Sequence, residues 1–548
     1  MPADLTSSEL EKNVLVNYQR LSWTSRLARD YSYAFEKVAD HYASPPGANG
    51  NWSNIIKARQ SLRPDTAVSD VLEKQLVGRQ APTAALDAVK QLRHQESVAV
   101  VTGQQAGLFG GPLFTILKAL TAIKLARQLA DQYRVPVVPV FWVDGEDHDL
   151  EEIAHCSVID TNLALQKTTL PLDEQKGVPA SSIRLDETIA STIASLEGSL
   201  SPTEFTEQLI NDLKAAYRPG VRLVESFARW LDQLFGHHGL VIYDASDVAM
   251  KPFVQQLFME ELKHPGRTSR LAATAGAELE SSGYHAQVAP AHDAVALFRI
   301  DGTRQAIKIA GDDFRVGTQT LTADEIFTEL DQRPSSVSPN VLLRPITQDV
   351  LFPTIAYVSG PSELGYLGQL RQVYETFNIP MPVIYPRATA TVVDMATLKF
   401  LDRYKVDFCE LHAQDDSLLN ALLTSQIPTE VEQALQDAEQ TITERLNTLN
   451  NVVQKIDPTL AGTVKSTRGR MEKDLRSLRT KIIQAAKRRD ETLRRQFNRA
   501  RSQAFPSGEP QERAVAGVYF LNKYGSAFIN RLFEELPIDP GDHWLLNI

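Results

Sequence analysis

The chain has 548 residues, of which 43% are apolar and 23% charged, and its net charge is −11. The length suits about two to four domains, the composition is globular, and the acidic balance argues against a general nucleic-acid binder. Two cysteines, Cys156 and Cys409, exclude a disulfide framework and fit a reducing cytosol, and their wide separation without CxxC spacing argues against a Cys-based zinc site; no run of about 18 apolar residues is present to span a membrane, and the opening MPADLTSSELEKN is not of signal-peptide type.

Residues 1–95 read as helices. From Leu21 to Tyr42, Trp23, Leu27, Tyr31, Phe35 and Val38 fall at three- and four-residue steps, which predicts one helix face. SPPGANGNW (44–52) then breaks the pattern. Residues 96–155 carry an α/β pattern. Val98–Thr102 reads as a strand, Gln104–Gly111 as a glycine-rich turn and Leu113–Tyr133 as a helix with Leu117, Leu120, Ile123 and Ala126 on its apolar face and Lys124 as a charged edge. Val135–Val143 reads as a second strand, completing a right-handed βαβ unit.

Residues 156–228 read as an insertion. Residues 229–265 return to the core, with a strand in GLVIYDASD (239–247) ending at Asp244. Residues 266–335 read as a second insertion, where Asp301-Gly302 between β-rich arms predicts a hairpin. Residues 336–425 form the second half of the core, with a strand in MPVIYP (381–386). Strands alternating with helices give the fold class: α/β, a mostly parallel, doubly wound sheet.

From 426 to 508 the pattern changes. Val431, Leu435, Ala438, Ile442, Leu446, Leu449 and Val453 form an a/d seam. IDPTLAG (456–462) reads as a turn, and Met471, Leu475, Leu478, Ile482 and Ala485 resume the spacing, which predicts an antiparallel coiled-coil hairpin. Residues 465–501 hold 14 Lys/Arg against 4 Asp/Glu, a local charge of +10 that leaves −21 on the rest. A solvated coiled-coil face explains such charge; binding of a nucleotide or polyphosphate is the alternative, and nucleic acid is disfavoured because Phe497 is the lone aromatic there. Residues 509–548 read as a small helical unit.

Three stretches hold candidate site residues. In the first turn Gln104, Gln105, Gly107, Gly110 and Gly111 lie between a strand end and a helix start, where backbone N–H groups and the helix dipole favour an anion. The turn is neither GxGxxG nor a Walker A loop, and backbone shape alone is the other explanation for its glycines. FWVDGEDHDLEE (141–152) falls at the carboxyl end of the next strand, where doubly wound sheets bind ligands. There Trp142 precedes Asp144, Glu146, Asp147, His148 and Asp149, ionisable groups able to bind a cation, hold an amine or act as a general base. Without paired-His spacing no dedicated metal site is expected. In SPNVLLRPITQDVLFPTIAYVSGPSELGYLGQL (338–370), Arg344, Gln348 and Asp349 stand among apolar residues, and Glu363 and Tyr366 fall where a loop meets a helix. Arg344 is either the structural partner of an acid or an anchor for a substrate carboxylate. His237 and His238 read as structural.

TGQQAGLFGGPLFTILKA, FWVDGEDHDLEEI, LRPITQDVLFPTIAYVSGPSELGYLGQL with YPR (385–387), and the QER…YG…H ending occur in this order. Together they closely resemble the bacillithiol-biosynthesis cysteine-adding enzymes, over essentially the whole chain. GPSE (360–363) stands where that family often has GPGE, so Ser362 replaces a glycine.

The resemblance implies a Rossmann-like core similar to the class I aminoacyl-tRNA synthetases, with connecting-peptide insertions. It also implies a C-terminal coiled coil linked to dimerisation and to a nucleotide site. The implied activity is that of a cytoplasmic amide-forming ligase that joins L-cysteine to the amine of glucosaminyl-malate, giving bacillithiol. ATP or ADP, accompanied by Mg, is the implied cofactor, and a homodimer through the coiled coil the implied assembly. On this reading Glu146, Asp147, His148 and Asp149 position the amine and take its proton, residues 103–112 hold a phosphate or carboxylate, and Arg344 holds the malate. GLFGGP lacks the histidines of a HIGH motif, and RATAT (387–391) is a poor substitute for KMSKS. The rivals are another nucleotidyltransferase or amide ligase on the same core and, less favoured, a non-catalytic coiled-coil scaffold.

Overall fold

The computed structural model describes residues 13–172, 177–426, 428–489 and 491–548; residues 1–12, on which the reading of the N-terminus rests, lie outside these. The chain forms two units, one of residues 12–392 with 509–548 and one centred on 393–508.

In the larger unit five strands make the central sheet: β1 (Val98–Gln105), β2 (Val137–Asp144), β3 (Val241–Asp244), β4 (Thr354–Ser359) and β5 (Val383–Pro386). Their order is β5-β4-β1-β2-β3 and every pairing is parallel. These segments are near-continuous apolar runs rich in β-branched and aromatic residues, as strands covered on both faces must be. Alternate side chains leave on opposite faces. Val98, Val100, Phe141 and Val143 therefore enter one hydrophobic core, and Ala99, Val101, Val140 and Trp142 enter the other.

Helix α1 (Leu113–Tyr133) carries the chain from β1 to β2. From β1 the sheet grows outward through β2 to β3; β4 and β5 then add on the far side of β1. The direction of growth reverses between β1 and β4, so the connections leaving those two strands part at their carboxyl ends. That is where an open α/β sheet leaves a crevice for a ligand.

The predicted strands, the Asp301-Gly302 hairpin and the helix after the first turn are all present. The hairpin pairs Asp301 with Thr303 around Gly302 at φ +69°, inside a five-stranded antiparallel sheet. The helix expected from Leu21 to Tyr42 is not continuous: Ser25 caps Arg26–Tyr33, and Ala34 leaves helical geometry at φ −145°. Aromatic packing overrides the helical spacing, with Tyr31 against Tyr42 at 4.6 Å and against Phe35 at 5.5 Å. The 156–228 segment contributes Ile189, Ile193, Leu196, Leu209 and Leu213 to the same core as α1. The last residues are not only helical: Asp542–Asn547 is a strand paired antiparallel with Val14–Asn17.

In the smaller unit, helices Thr429–Val453 and Leu460–Arg489 run antiparallel, tied by Arg468 to Asn447 at 3.1 Å and by an Arg479–Glu432 ion pair. Leu435, Ile442, Leu446, Leu475 and Ile482 are half-buried along the seam. Leu449, Met471 and Leu478, assigned to the same seam, are 47%, 42% and 47% exposed. Phe497 is a core residue packed edge-on against Phe400, so it offers no stacking surface for bases.

Candidate active site

The carboxyl ends of β1 and β4 open into a cavity of about 550 Å³. β1 supplies Gly103, Gln104 and Gln105, β2 supplies Trp142 and Asp144, and α1 supplies Phe114 and Lys118. Helix α2 (Arg344–Leu351) supplies Arg344, the segment after β4 supplies Glu363 and Tyr366, and Arg387 and Arg513 complete a cationic wall. Gly103 is required by a close approach: a Cβ there would lie 2.9 Å from the Trp142 carbonyl oxygen of the paired strand.

Lys118 is buried. Its ammonium donates to the Gly103 carbonyl at 2.9 Å and to Gln104 Oε1 at 3.0 Å, and it pairs with Glu363 at 2.7 Å. Burial pulls this ammonium below its ordinary pKa, with Glu363 opposing the shift. Burial alone would raise Glu363, but Lys118 outweighs it and holds the carboxyl low. Glu363 also accepts from the Gly360 N–H at 2.6 Å and from the hydroxyls of Tyr357 and Tyr366 at 3.1 and 3.3 Å. Its oxygens are thereby committed, and its role is to fasten the β4 exit loop to Lys118 of α1.

Arg387 and Glu512 form a buried, two-pronged ion pair at 3.0 and 2.7 Å. Arg344 lies between two aromatic faces, 5.7 Å from the Trp142 ring and 5.3 Å from Tyr357, and donates to Gln348 at 3.3 Å. Three buried donors on this cavity, Arg344 Nη2, Arg387 Nε and Trp142 Nε1, have no hydrogen-bond acceptor among the described residues. An unmet buried donor costs about 1–3 kcal/mol, so the cavity favours an acceptor-rich, anionic guest.

The opposite wall is acidic. Asp147 accepts from Gln105 Nε2 at 2.5 Å and from the His148 N–H at 2.7 Å. Arg304, stacked on Phe298, stands 3.9 Å from it. Glu146 is buried in an ion pair with Lys251. Asp144 accepts no hydrogen bond from a described side chain or N–H, and burial raises its pKa above the usual carboxylate range, with Arg344 opposing.

The cavity thus gathers Gln104, Gln105, Trp142, Asp144, Glu146, Asp147, Arg344, Glu363 and Tyr366 from the sequence-derived set. It does not gather the rest. Gly107, Gly110 and Gly111 lie off it, and the turn's N–H groups bond internally, Gly107 to Gln105 at 2.8 Å, Gly110 to Gly107 at 3.1 Å and Gly111 to Leu108 at 3.1 Å. The adjoining helix start is taken as well, with Leu113 N–H on the Val515 carbonyl at 2.8 Å. The turn therefore does not fit a phosphate; its glycines serve left-handed backbone at Gly110 and Gly111, where φ is +93° and +71°. His148 and Asp149 face a neighbouring groove, and Asp149 caps the short helix Leu150–Ile153 through the Glu152 N–H. Gln348 and Asp349 are buried in α2, Asp349 accepting from Tyr374 at 2.7 Å and from Gln348 at 2.9 Å. His238 stacks on Phe533, a structural contact. Ser362 lines the cavity without left-handed backbone, so glycine is not needed there.

Lys118, Tyr357, Arg387 and Glu512 escaped the sequence reading. Lys118 had a visible signal, a lysine amid the apolar Leu113–Leu125 stretch. Arg387 and Glu512 stand in YPR and QER, whose pairing across 125 positions no local pattern reveals.

Residues 14–388 match the family model described as the bacillithiol biosynthesis BshC N-terminal Rossmann-like domain, and residues 390–548 match the BshC C-terminal coiled-coil domain. Three curated relatives carry the name "Putative cysteine ligase BshC". That of Salinibacter ruber is 34% identical over 533 residues, 95% of each chain. That of Koribacter versatilis is 32% identical over 93% of this chain and 95% of its own. That of Bacillus velezensis is 30% identical over 83% of this chain and 85% of its own. Four separate motifs, a parallel sheet with its cavity at the switch point, a helical hairpin and two domain matches that together span 14–548 lead to one conclusion: the chain belongs to the bacillithiol biosynthesis BshC family.

Proposed function

We propose that this protein is an amide-forming ligase that joins the carboxyl of L-cysteine to the amine of glucosaminyl-malate, giving bacillithiol. One observation carries the reading: a single cavity has buried guanidinium groups with unmet donors on one wall and carboxylates on the other. Malate offers two carboxylates to Arg344, and the sugar ammonium suits Asp144. Cysteine's carboxyl needs activation before an amine can attack it, and ATP is the proposed source. The glycine turn does not fit its phosphates; Arg387, through its unmet Nε, and Arg513 are the cations on the same cavity that suit them.

The proposed assembly is a homodimer through the coiled coil, supported by the exposed apolar residues Leu449, Val452, Ile456, Met471 and Leu478 along the hairpin. Sedimentation as a monomer at micromolar concentration would contradict it. A cytoplasmic location suits Cys156 and Cys409, both free thiols. No described helix is long and apolar enough to cross a membrane.

Mass spectrometry of the purified protein with glucosaminyl-malate and cysteine, with and without ATP, tests the reading. Bacillithiol formed only with ATP is the expected result. No product in either mixture, with product also absent from a lysate that supplies other donors, would overturn it.

A further inference from the structure

Five carboxylates line the cavity, and four are spoken for or exposed. Glu146 is paired with Lys251, Asp147 is held by Gln105 and the His148 N–H, and Glu363 is held by Lys118. Glu152 is exposed at the mouth. Asp144 differs from all of them: it is the last residue of β2, in register with Gln105 of β1, and its carboxylate points into the crevice without a bonded partner among the described residues.

We propose that Asp144 is the general base of the ligation, a role that rests on the ligase reading above. Its carboxylate holds the sugar ammonium and takes one proton from it, which frees the nitrogen lone pair; the second proton leaves the nitrogen to solvent once the C–N bond has formed. The amine nitrogen attacks the carbonyl carbon of an activated cysteine, an acyl phosphate or acyl adenylate by class. The new C–N bond forms, the bond from that carbon to the phosphoryl oxygen breaks, and the phosphate or nucleotide leaves with the electron pair. The first proton passes from nitrogen to Asp144 and then to solvent.

The surroundings suit this task. The charged groups that face Asp144 are Arg344 on α2, Arg304 on the antiparallel sheet, and Glu146 and Asp147 on its own loop. In a glucosaminyl glycoside the amine-bearing carbon adjoins the carbon that carries the malate. A base standing beside a guanidinium is therefore what the substrate's own geometry demands: the carboxylates go to Arg344 and the amine falls to the neighbouring carboxylate. Glu146 cannot exchange places with Asp144, because turning it toward substrate would strand the Lys251 charge in a buried position. Burial lifts Asp144 above the usual carboxylate range, which makes it a better proton acceptor than a surface aspartate.

The test compares the wild type with Asp144→Asn and Asp144→Glu in ATP-driven ligation, using glucosaminyl-malate or hydroxylamine as the amine. Hydroxylamine is unprotonated at neutral pH and needs no base. Asp144→Asn should lower kcat with glucosaminyl-malate about 10²–10⁴-fold, change KM only a few-fold, and remove the acid limb of the pH–kcat profile. It should still form cysteine hydroxamate from hydroxylamine at close to the wild-type rate, which also shows that the variant is folded. Asp144→Glu should restore part of kcat and the acid limb. A wild-type kcat and an unchanged acid limb in Asp144→Asn would overturn the proposal, as would equal losses with both amines. If the wild type forms no product from either amine, the ligase reading falls and takes the proposal with it.

Discussion

Replacing Arg387 by Met should destabilise the sheet-bearing unit by about 3–5 kcal/mol. The figure follows from what the guanidinium does. Arg387 is 3% exposed and Glu512 5% exposed, and two charge-assisted hydrogen bonds of 3.0 and 2.7 Å join them. Each such bond contributes about 1.5–3 kcal/mol. Burial would raise the Glu512 carboxyl, and Arg387 outweighs burial to hold it below its usual value. Without Arg387 the carboxylate retains the Ala390 N–H at 3.1 Å and no cation, so it must either stay charged at a cost or take up a proton at about 1.4 kcal/mol for each pH unit it is lifted. Urea unfolding followed by tryptophan fluorescence, on wild type, Arg387→Met, Glu512→Gln and the double variant, measures the effect. The double variant should lie at least about 2 kcal/mol above the sum of the single losses, because neither half is then left charged alone. A loss under about 1 kcal/mol for Arg387→Met, or strict additivity, would refute the reasoning and show the pair to be hydrated in solution.

Glu146→Gln should cost about 3–5 kcal/mol by leaving Lys251 buried and unpaired, and adding Lys251→Met should recover much of it in the same unfolding assay. His543 is buried between the hydroxyls of Thr389 and Thr391, and its pKa is lowered from 6.5 to about 4, chiefly by burial. The unfolded chain then binds the extra proton between those values, so stability is full above pH 6.5 and falls by up to about 3 kcal/mol as pH drops toward 4; in His543→Gln melts this part of the pH dependence should vanish. Gly103→Ala forces a Cβ to within 2.9 Å of the Trp142 carbonyl oxygen, and should lower stability by about 1–3 kcal/mol while reducing ligation, since Lys118 is anchored on the Gly103 carbonyl.

The strands of the central sheet were legible because each is buried on both faces and so carries an unbroken apolar run. The candidate acids at the end of β2 were legible for the related reason that polar residues follow such a run at a sheet's carboxyl edge. Which acid is free was not: Glu146 looks as available as Asp144 until Lys251, on a helix more than a hundred residues later, is seen to occupy it. The glycine turn misled because glycine marks both anion cradles and tight left-handed turns, and only the bonding of its N–H groups separates the two. The Leu21–Tyr42 helix failed where ring packing among Tyr31, Phe35 and Tyr42 outweighed a helical spacing. Spacing alone likewise assigned Met471 and Leu478 to a sealed seam although both are exposed.

The Arg387–Glu512 pair also sets an order of events during synthesis. All five strands of the sheet and Arg387 have left the ribosome while Glu512, 125 positions downstream, is still to be made. In that interval the nascent cavity holds a cation whose fixed counter-charge does not yet exist, and the strand Asp542–Asn547 that pairs with Val14–Asn17 is missing too. The whole of residues 393–508, helical hairpin included, has to be translated first. The cationic wall is therefore a property of finished chains: an abortive product that ends anywhere in the hairpin carries the complete parallel sheet and the acidic wall, yet lacks the residue that orients Arg387.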